Sequence, residues 1–177
     1  MTHAETVVSE TLDDLKAALR KYIKDVLEPI AKFPGMISIG VSGGSMPKIL
    51  GEVIPTLGLD WKRVKIFMVD ERMVPIGHPD SNCGQWAQAL PQALHPCLVP
   101  VEMIEAVYRQ DRNSFPYDVS RTALHYEQTL KQAVGPEMIG RLPRFDLILL
   151  GIGPDGHTAS IFPYGRLWKD YRQGEMH

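Results

Sequence analysis

Phe145-Asp146-Leu147-Ile148-Leu149-Leu150 runs directly into Gly151-Ile152-Gly153-Pro154-Asp155-Gly156-His157-Thr158. The first six residues form an apolar run of strand length, bounded by glycine, and read as a buried strand. The apolar side chains then stop. A loop of glycines, one carboxylate and one imidazole begins. In a parallel α/β sheet, ligands and catalytic groups collect beyond the carboxyl ends of strands. Glycine leaves room for a ligand and permits unusual dihedrals. His157 is a side chain able to move a proton near neutral pH. Taken alone, the loop is also compatible with a tight strand-to-helix turn bearing a solvated histidine. Residues 151–156 match G-x-G-x-x-G, but Asp155 would face an incoming pyrophosphate, and no apolar run follows to form the returning strand of a dinucleotide-binding unit.

Working upstream, Met36-Ile37-Ser38-Ile39-Gly40-Val41 reads as another strand, followed by Ser42-Gly43-Gly44-Ser45. Met46, Ile49, Leu50, Val53, Ile54 and Leu57 then recur at helical spacing. Ser45 is the expected N-cap, and Pro47 is tolerable in the first turn. A flexible loop aimed at free N–H groups and a positive helix end is an anion site, phosphate above all. The loop lacks the lysine of a Walker motif, which argues against a nucleoside triphosphate. A third strand, Lys65-Ile66-Phe67-Met68-Val69, ends in Asp70-Glu71-Arg72. Charges at a strand end are costly unless they line a solvated cleft. Arg72 would grip phosphate oxygens, and Asp70 would orient a hydroxyl or share a proton. A solvated charge cluster is the plainer alternative.

These loops together resemble one family. Ser42-Gly43-Gly44-Ser45, Val69-Asp70-Glu71-Arg72-Met73-Val74-Pro75, His78-Pro79-Asp80-Ser81-Asn82 and the block from Leu150 to Pro163 look like 6-phosphogluconolactonase, within the superfamily that includes glucosamine-6-phosphate deaminase. The resemblance covers roughly residues 5–163. Arg72 after Asp70-Glu71, and Thr158-Ala159-Ser160-Ile161-Phe162-Pro163 after His157, favour the lactonase branch over the deaminases. The resemblance implies hydrolysis of 6-phospho-D-glucono-1,5-lactone to 6-phosphogluconate, a step of the oxidative pentose phosphate pathway. The alternatives are another phosphosugar enzyme of deaminase type, or an inactive phosphosugar- or partner-binding variant.

A cyclic ester with a distant phosphate needs an activated water, oxyanion stabilisation and a proton for the leaving ring oxygen. His157 would serve as base and then acid. Asp155 would fix its tautomer, and Asp70 is the third catalytic candidate. Ser42, Gly43, Gly44, Ser45 and Arg72 would hold the phosphate and position the carbonyl. A covalent route through Ser42 or Ser45 is weaker, because neither lies in a nucleophile elbow. His78 and His95 are rival bases. No metal and no cofactor is expected.

The rest of the chain alternates helix and strand. Leu12, Leu15, Leu19, Tyr22, Ile23, Val26 and Ile30 mark a first helix, capped by Ser9 or Thr11 and ended by Pro29 and Pro34-Gly35. Trp86, Ala89, Leu90, Ala93 and Leu94 mark a shorter helix, and Val119, Ala123, Tyr126, Leu130 and Val134 another, closed by Gly135-Pro136. Residues 95–116 read as an irregular connection. The expected fold is α/β, a mainly parallel sheet with helices on both faces, Rossmann-like and of the phosphosugar isomerase/lactonase type. Residues 1–163 are expected to form an incomplete domain with its last strands missing. Residues 164–177 are expected to be a divergent tail, with Tyr164, Leu167, Trp168 and Tyr171 on one helical face and an unpaired sheet edge left behind.

Composition sets wider bounds. A length of 177 residues fits one domain. A formal net charge of −2 argues against nucleic acid and anionic membranes as partners, so a small phosphosugar lactone must be gathered locally. Cys83 and Cys97 make no C-x-x-C pair, and reduced thiols suit the cytoplasm. The acidic N-terminal stretch does not resemble a signal or transit peptide.

Overall fold

A computed structural model describes residues 4–106, 116–134, 138–139, 142–166 and 168–169. Along the chain these form α1 (Leu12–Ala31), β1 (Ile37–Val41), α2 (Met46–Val53), β2 (Val64–Met68), α3 (Asn82–Ala89), β3 (Leu98–Val99), α4 (Val119–Val134), β4 (Met138–Ile139), β5 (Leu142–Pro143) and β6 (Leu147–Leu149).

All five residues of β1 are buried, as expected of a strand covered on both faces. It pairs in parallel with β2, from Ile37 opposite Val64 to Val41 opposite Met68, and on its other side with β6, from Ile39 opposite Leu147 to Val41 opposite Leu149. β3 lies outside β2, also parallel, which gives the order β3-β2-β1-β6. β4 and β5 form a separate antiparallel pair. The polar residue that opens the last apolar run has a structural purpose. Asp146 Oδ2 accepts from Ser38 N at 2.7 Å and Ser38 Oγ at 2.9 Å, which staples the start of β6 to β1.

One face of the sheet supplies Ile37, Ile39, Val41, Val64, Ile66, Met68, Leu147 and Leu149 to a single core. Opposite them stand Ile23 and Leu27 of α1, Leu50 and Val53 of α2, and Cys83 and Trp86 of α3. The α2–α3 contact is close: a Cβ on Gly51 would come within 2.8 Å of both Ala89 Cβ and Ala89 O. The other face carries Phe67, whose ring packs on Phe145 at 5.5 Å, and Ile148, which is 49 % exposed. α4 lies outside the core cluster and is tied to the sheet by Tyr126, whose hydroxyl donates to Met68 O at 2.9 Å. Burial pushes that hydroxyl's pKa up, so it remains a donor.

Three expectations are corrected. Residues 86–94 do not form one helix: α3 ends at Ala89, Leu90 is extended because Pro91 follows it, and Gln92–Cys97 form a separate 3-10 helix. Pro29 does not end α1, which runs on to Ala31. In the last turn a missing N–H deprives only one carbonyl of its helical donor. The chain then turns because Arg63 gathers the carbonyls of Ala31, Phe33 and Gly35. Residues 95–116 are not wholly irregular, since Leu98–Val99 form β3. A two-residue edge strand stopped by Pro100 is too short to show a period. Thr11 is the cap of α1, with its side chain accepting from Asp14 N. Gly135, Pro136, Leu167, Tyr171 and much of the 95–116 segment lie outside the described residues.

Candidate active site

Three loops leave the carboxyl ends of neighbouring strands and enclose a cleft of about 280 Å3. After β1 come Ser42, Gly43, Gly44 and Ser45; after β2, Asp70 and Arg72; after β6, Gly151, Ile152, Gly153, Pro154, His157 and Ala159. Strand order places these loops side by side, because β1 lies between β2 and β6. Asp155 does not line the cleft but reaches it through His157.

The histidine loop is held by its own hydrogen bonds. Gly153 N donates to His157 O at 2.8 Å, and Gly156, at φ 84°, turns back so that its N–H reaches Gly153 O at 2.9 Å. Thr158 Oγ1 donates to Gly151 O at 2.9 Å. His157 Nδ1 bonds Asp155 Oδ1, and the ring stacks on Phe162 with centroids 4.8 Å apart. A proton at Nδ1 leaves Nε2 as the acceptor. The His157 side-chain bond, with backbone bonds behind it, holds the Asp155 carboxyl below the usual range. A lowered carboxylate pKa contributes stability above its unfolded value, lost as pH falls through the folded one. The pairing therefore persists across neutral pH.

The loop from Ser42 to Ser45 differs from expectation in one respect. Ser45 occupies the N-cap position of α2, but its side chain makes no capping bond. The Ser45 side chain therefore does not occupy the first-turn N–H groups of α2. Ser42 lines the cleft, but its buried hydroxyl accepts from Gly151 N at 2.9 Å, joining the first and third loops. Its carbonyl accepts from Trp86 Nε1 at 3.0 Å. Arg72 is exposed at the cleft, with one guanidinium N–H on Asp80 O at 3.0 Å. Asp70 Oδ2 accepts from Ser160 Oγ at 2.8 Å. Of the rival bases, His78 is exposed and is turned to Asp80 N, and His95 faces Leu90 O; neither lines the cleft.

The family described as glucosamine-6-phosphate isomerases/6-phosphogluconolactonase matches residues 10–173. The chain belongs to that family. A Caenorhabditis elegans protein named as a 6-phosphogluconolactonase is 40% identical over 159 residues, 88% of this chain and 55% of its own length. A 6-phosphogluconolactonase of a Nostoc species is 37% identical, over 88% of this chain and 62% of its length. The chain thus spans a little over half the length of these relatives. The solved 6-phosphogluconolactonase of Trypanosoma brucei superposes with a TM-score of 0.66 at 30% identity, covering 93% of this chain and 65% of that one. That of Shewanella baltica gives 0.69 at 26%, covering 92% and 62%.

In this member of the glucosamine-6-phosphate isomerase/6-phosphogluconolactonase family, three residues bind the site together without having been expected to. Glu71 is no part of the cleft's charge. Its carboxylate accepts from Asn82 N at 2.7 Å, Cys83 N at 2.8 Å, Arg72 N at 2.8 Å and Ser81 Oγ at 3.1 Å, and so closes the N-terminus of α3. Ser160 and Asn82 both hold Asp70. The available signal for Glu71 was a carboxylate upstream of Ser81-Asn82, two residues that favour helix starts. Removing Glu71 strands three backbone donors. Glu71→Ala should destabilise the fold by about 2–3 kcal/mol, the loss of a cap plus charged hydrogen bonds, read as a lower urea midpoint. An unchanged midpoint would show that water replaces the carboxylate without penalty.

Proposed function

We propose that this site hydrolyses 6-phospho-D-glucono-1,5-lactone to 6-phosphogluconate, as the names of its relatives suggest. One observation carries the reading: the β1, β2 and β6 loops bring an imidazole, oriented by Asp155, into the same cleft as an uncapped helix start and Arg72. A water held at the lactone carbonyl gives its proton to His157 Nε2 as its oxygen bonds to C1. The tetrahedral oxyanion then collapses, the C1–ring oxygen bond breaks, and the imidazolium returns the proton to that oxygen. Gly43, Gly44, Ser45 and Arg72 anchor the phosphate, and that remote binding energy positions the carbonyl. Asp70 orients a sugar hydroxyl. No step calls on a metal or cofactor. The proposed setting is the oxidative pentose phosphate pathway in the cytoplasm. No described helix is long and apolar enough to cross a membrane.

The test is release of 6-phosphogluconate from freshly prepared lactone by the purified chain, beside a control for spontaneous hydrolysis. Unphosphorylated gluconolactone should be a poor substrate. Arg72→Ala should weaken 6-phosphogluconate binding several-fold to a hundredfold in calorimetry, since a charge-assisted hydrogen bond is worth about 1.5–3 kcal/mol. Equal affinities would leave Arg72 as a solvated strand-end charge. Ammonia release from glucosamine 6-phosphate with no lactone turnover would replace the proposal with a deaminase.

A further inference from the structure

Asn82 joins two parts of the cleft that are far apart in sequence. It is the first residue of α3 and is 1 % exposed. Its Nδ2 donates to Asp70 O at 2.9 Å and to Asp70 Oδ1 at 3.3 Å. Those two acceptors decide the orientation of the amide, because the opposite assignment would set oxygen against oxygen. Oδ1 therefore points the other way, against Gly43. It is buried and has no hydrogen-bond partner among the described residues. A Cβ on Gly43 would overlap this oxygen, and Gly43 does not adopt a left-handed backbone. Gly44 differs: its φ is +71° and the space around it is open. One glycine is required by the Asn82 amide and the other by the turn. An amide oxygen resting on a Cα–H has only a weak contact for a group that is costly to bury. A small apolar side chain would avoid that cost, so the amide calls for another explanation.

We propose that Asn82 is a positioning residue whose amide holds the Asp70 carboxylate in register with the Gly43-Gly44 anion loop. The inference rests on the lactonase reading above. Ser160 holds the second oxygen of Asp70, so the carboxylate is steered from α3 on one side and from the histidine loop on the other. The ionisable groups around this link are Asp70 itself, Glu71 beneath the Asn82 backbone, Arg72 and His157 in the same cleft, and Cys83 and Tyr126 behind. Asn82→Asp keeps the volume and the contact with Gly43 but replaces the donor with a second carboxylate. Two ionised carboxylates at this distance repel and turn Asp70 away. A single proton taken up by the pair restores a donor and the link.

The expected result is a kcat/KM about 10- to 100-fold below wild type for Asn82→Asp at pH about 7.5. The deficit should fall on kcat more than KM and narrow markedly as pH is lowered to about 5.5. A ratio to wild type that stays constant with pH would reduce Asn82 to a packing residue and overturn the proposal. A second measurement stands apart from turnover. Gly43→Ala should weaken 6-phosphogluconate binding about tenfold or more in the wild-type background, and far less beside Asn82→Ala, where the overlap is relieved. Strictly additive losses would overturn the coupling. A wild-type chain that hydrolyses no lactone sinks the lactonase reading alone. The binding cycle, or the same cycle read by thermal unfolding where the product is not bound, still decides the coupling.

Discussion

His157→Ala should lower lactone turnover by about 10²–10⁴-fold, the usual contribution of a positioned general acid–base group, while leaving the circular dichroism unchanged. The loop that carries His157 is anchored by bonds that do not involve the ring: Gly153 N to His157 O, Gly156 N to Gly153 O and Thr158 Oγ1 to Gly151 O. Loss of the imidazole therefore removes proton transfer without unravelling the turn. The proposed phosphate contacts lie on the other two loops, so 6-phosphogluconate should still bind. The loss then falls on kcat rather than KM. Near-normal turnover by His157→Ala would remove it as the base. His78 is outside the cleft, so the water would then have to be activated from Asp70.

Gly153→Ala should reproduce much of that loss although it touches no atom of the substrate. A Cβ at this position would overlap Cε1 and Nδ1 of His157 and lie 2.9 Å from Nε2. The ring cannot retreat while keeping both its bond to Asp155 and its stack on Phe162. It must leave the orientation in which Nε2 accepts a proton. A fall of about a hundredfold or more in kcat is expected, at the lower bound for losing the base. Stability should move by less than about 1 kcal/mol, since the loop is largely exposed and outside the core. The double variant Gly153→Ala/His157→Ala should be no slower than His157→Ala alone, because both act through one ring. Full activity in Gly153→Ala would show that the ring adjusts at no cost.

The division between what was legible and what was not follows the range of each interaction. The strands at β1, β2 and β6 were visible because continuous apolar runs bounded by glycine or charge are local patterns. The helix α4 was legible in its periodicity, its first and last apolar markers, Val119 and Val134, being the ends of the helix. The His157–Asp155 pair was legible because only two residues separate its members, and a turn of that length brings them together in almost any fold. Ser45 showed the limit of local reading: the residue type predicted the cap position of α2, but no side-chain bond is made there.

Sequence by itself determined the α/β class, the three strand-end loops, and the identity of the residues that reach the cleft first. Only the tertiary structure decided that β1 lies between β2 and β6, and hence that the loops after all three face one cleft. It also decided that Ser42 joins the first loop to Gly151, that Glu71 closes α3 instead of charging the cleft, and that Gly43 is glycine because of Asn82. Each of these is a contact between segments separated along the chain, from Glu71 and Asn82 to Ser42 and Gly151. Residue type and spacing report which groups have hydrogen bonds to make. The packing of β1 against its neighbours determines which partners they find.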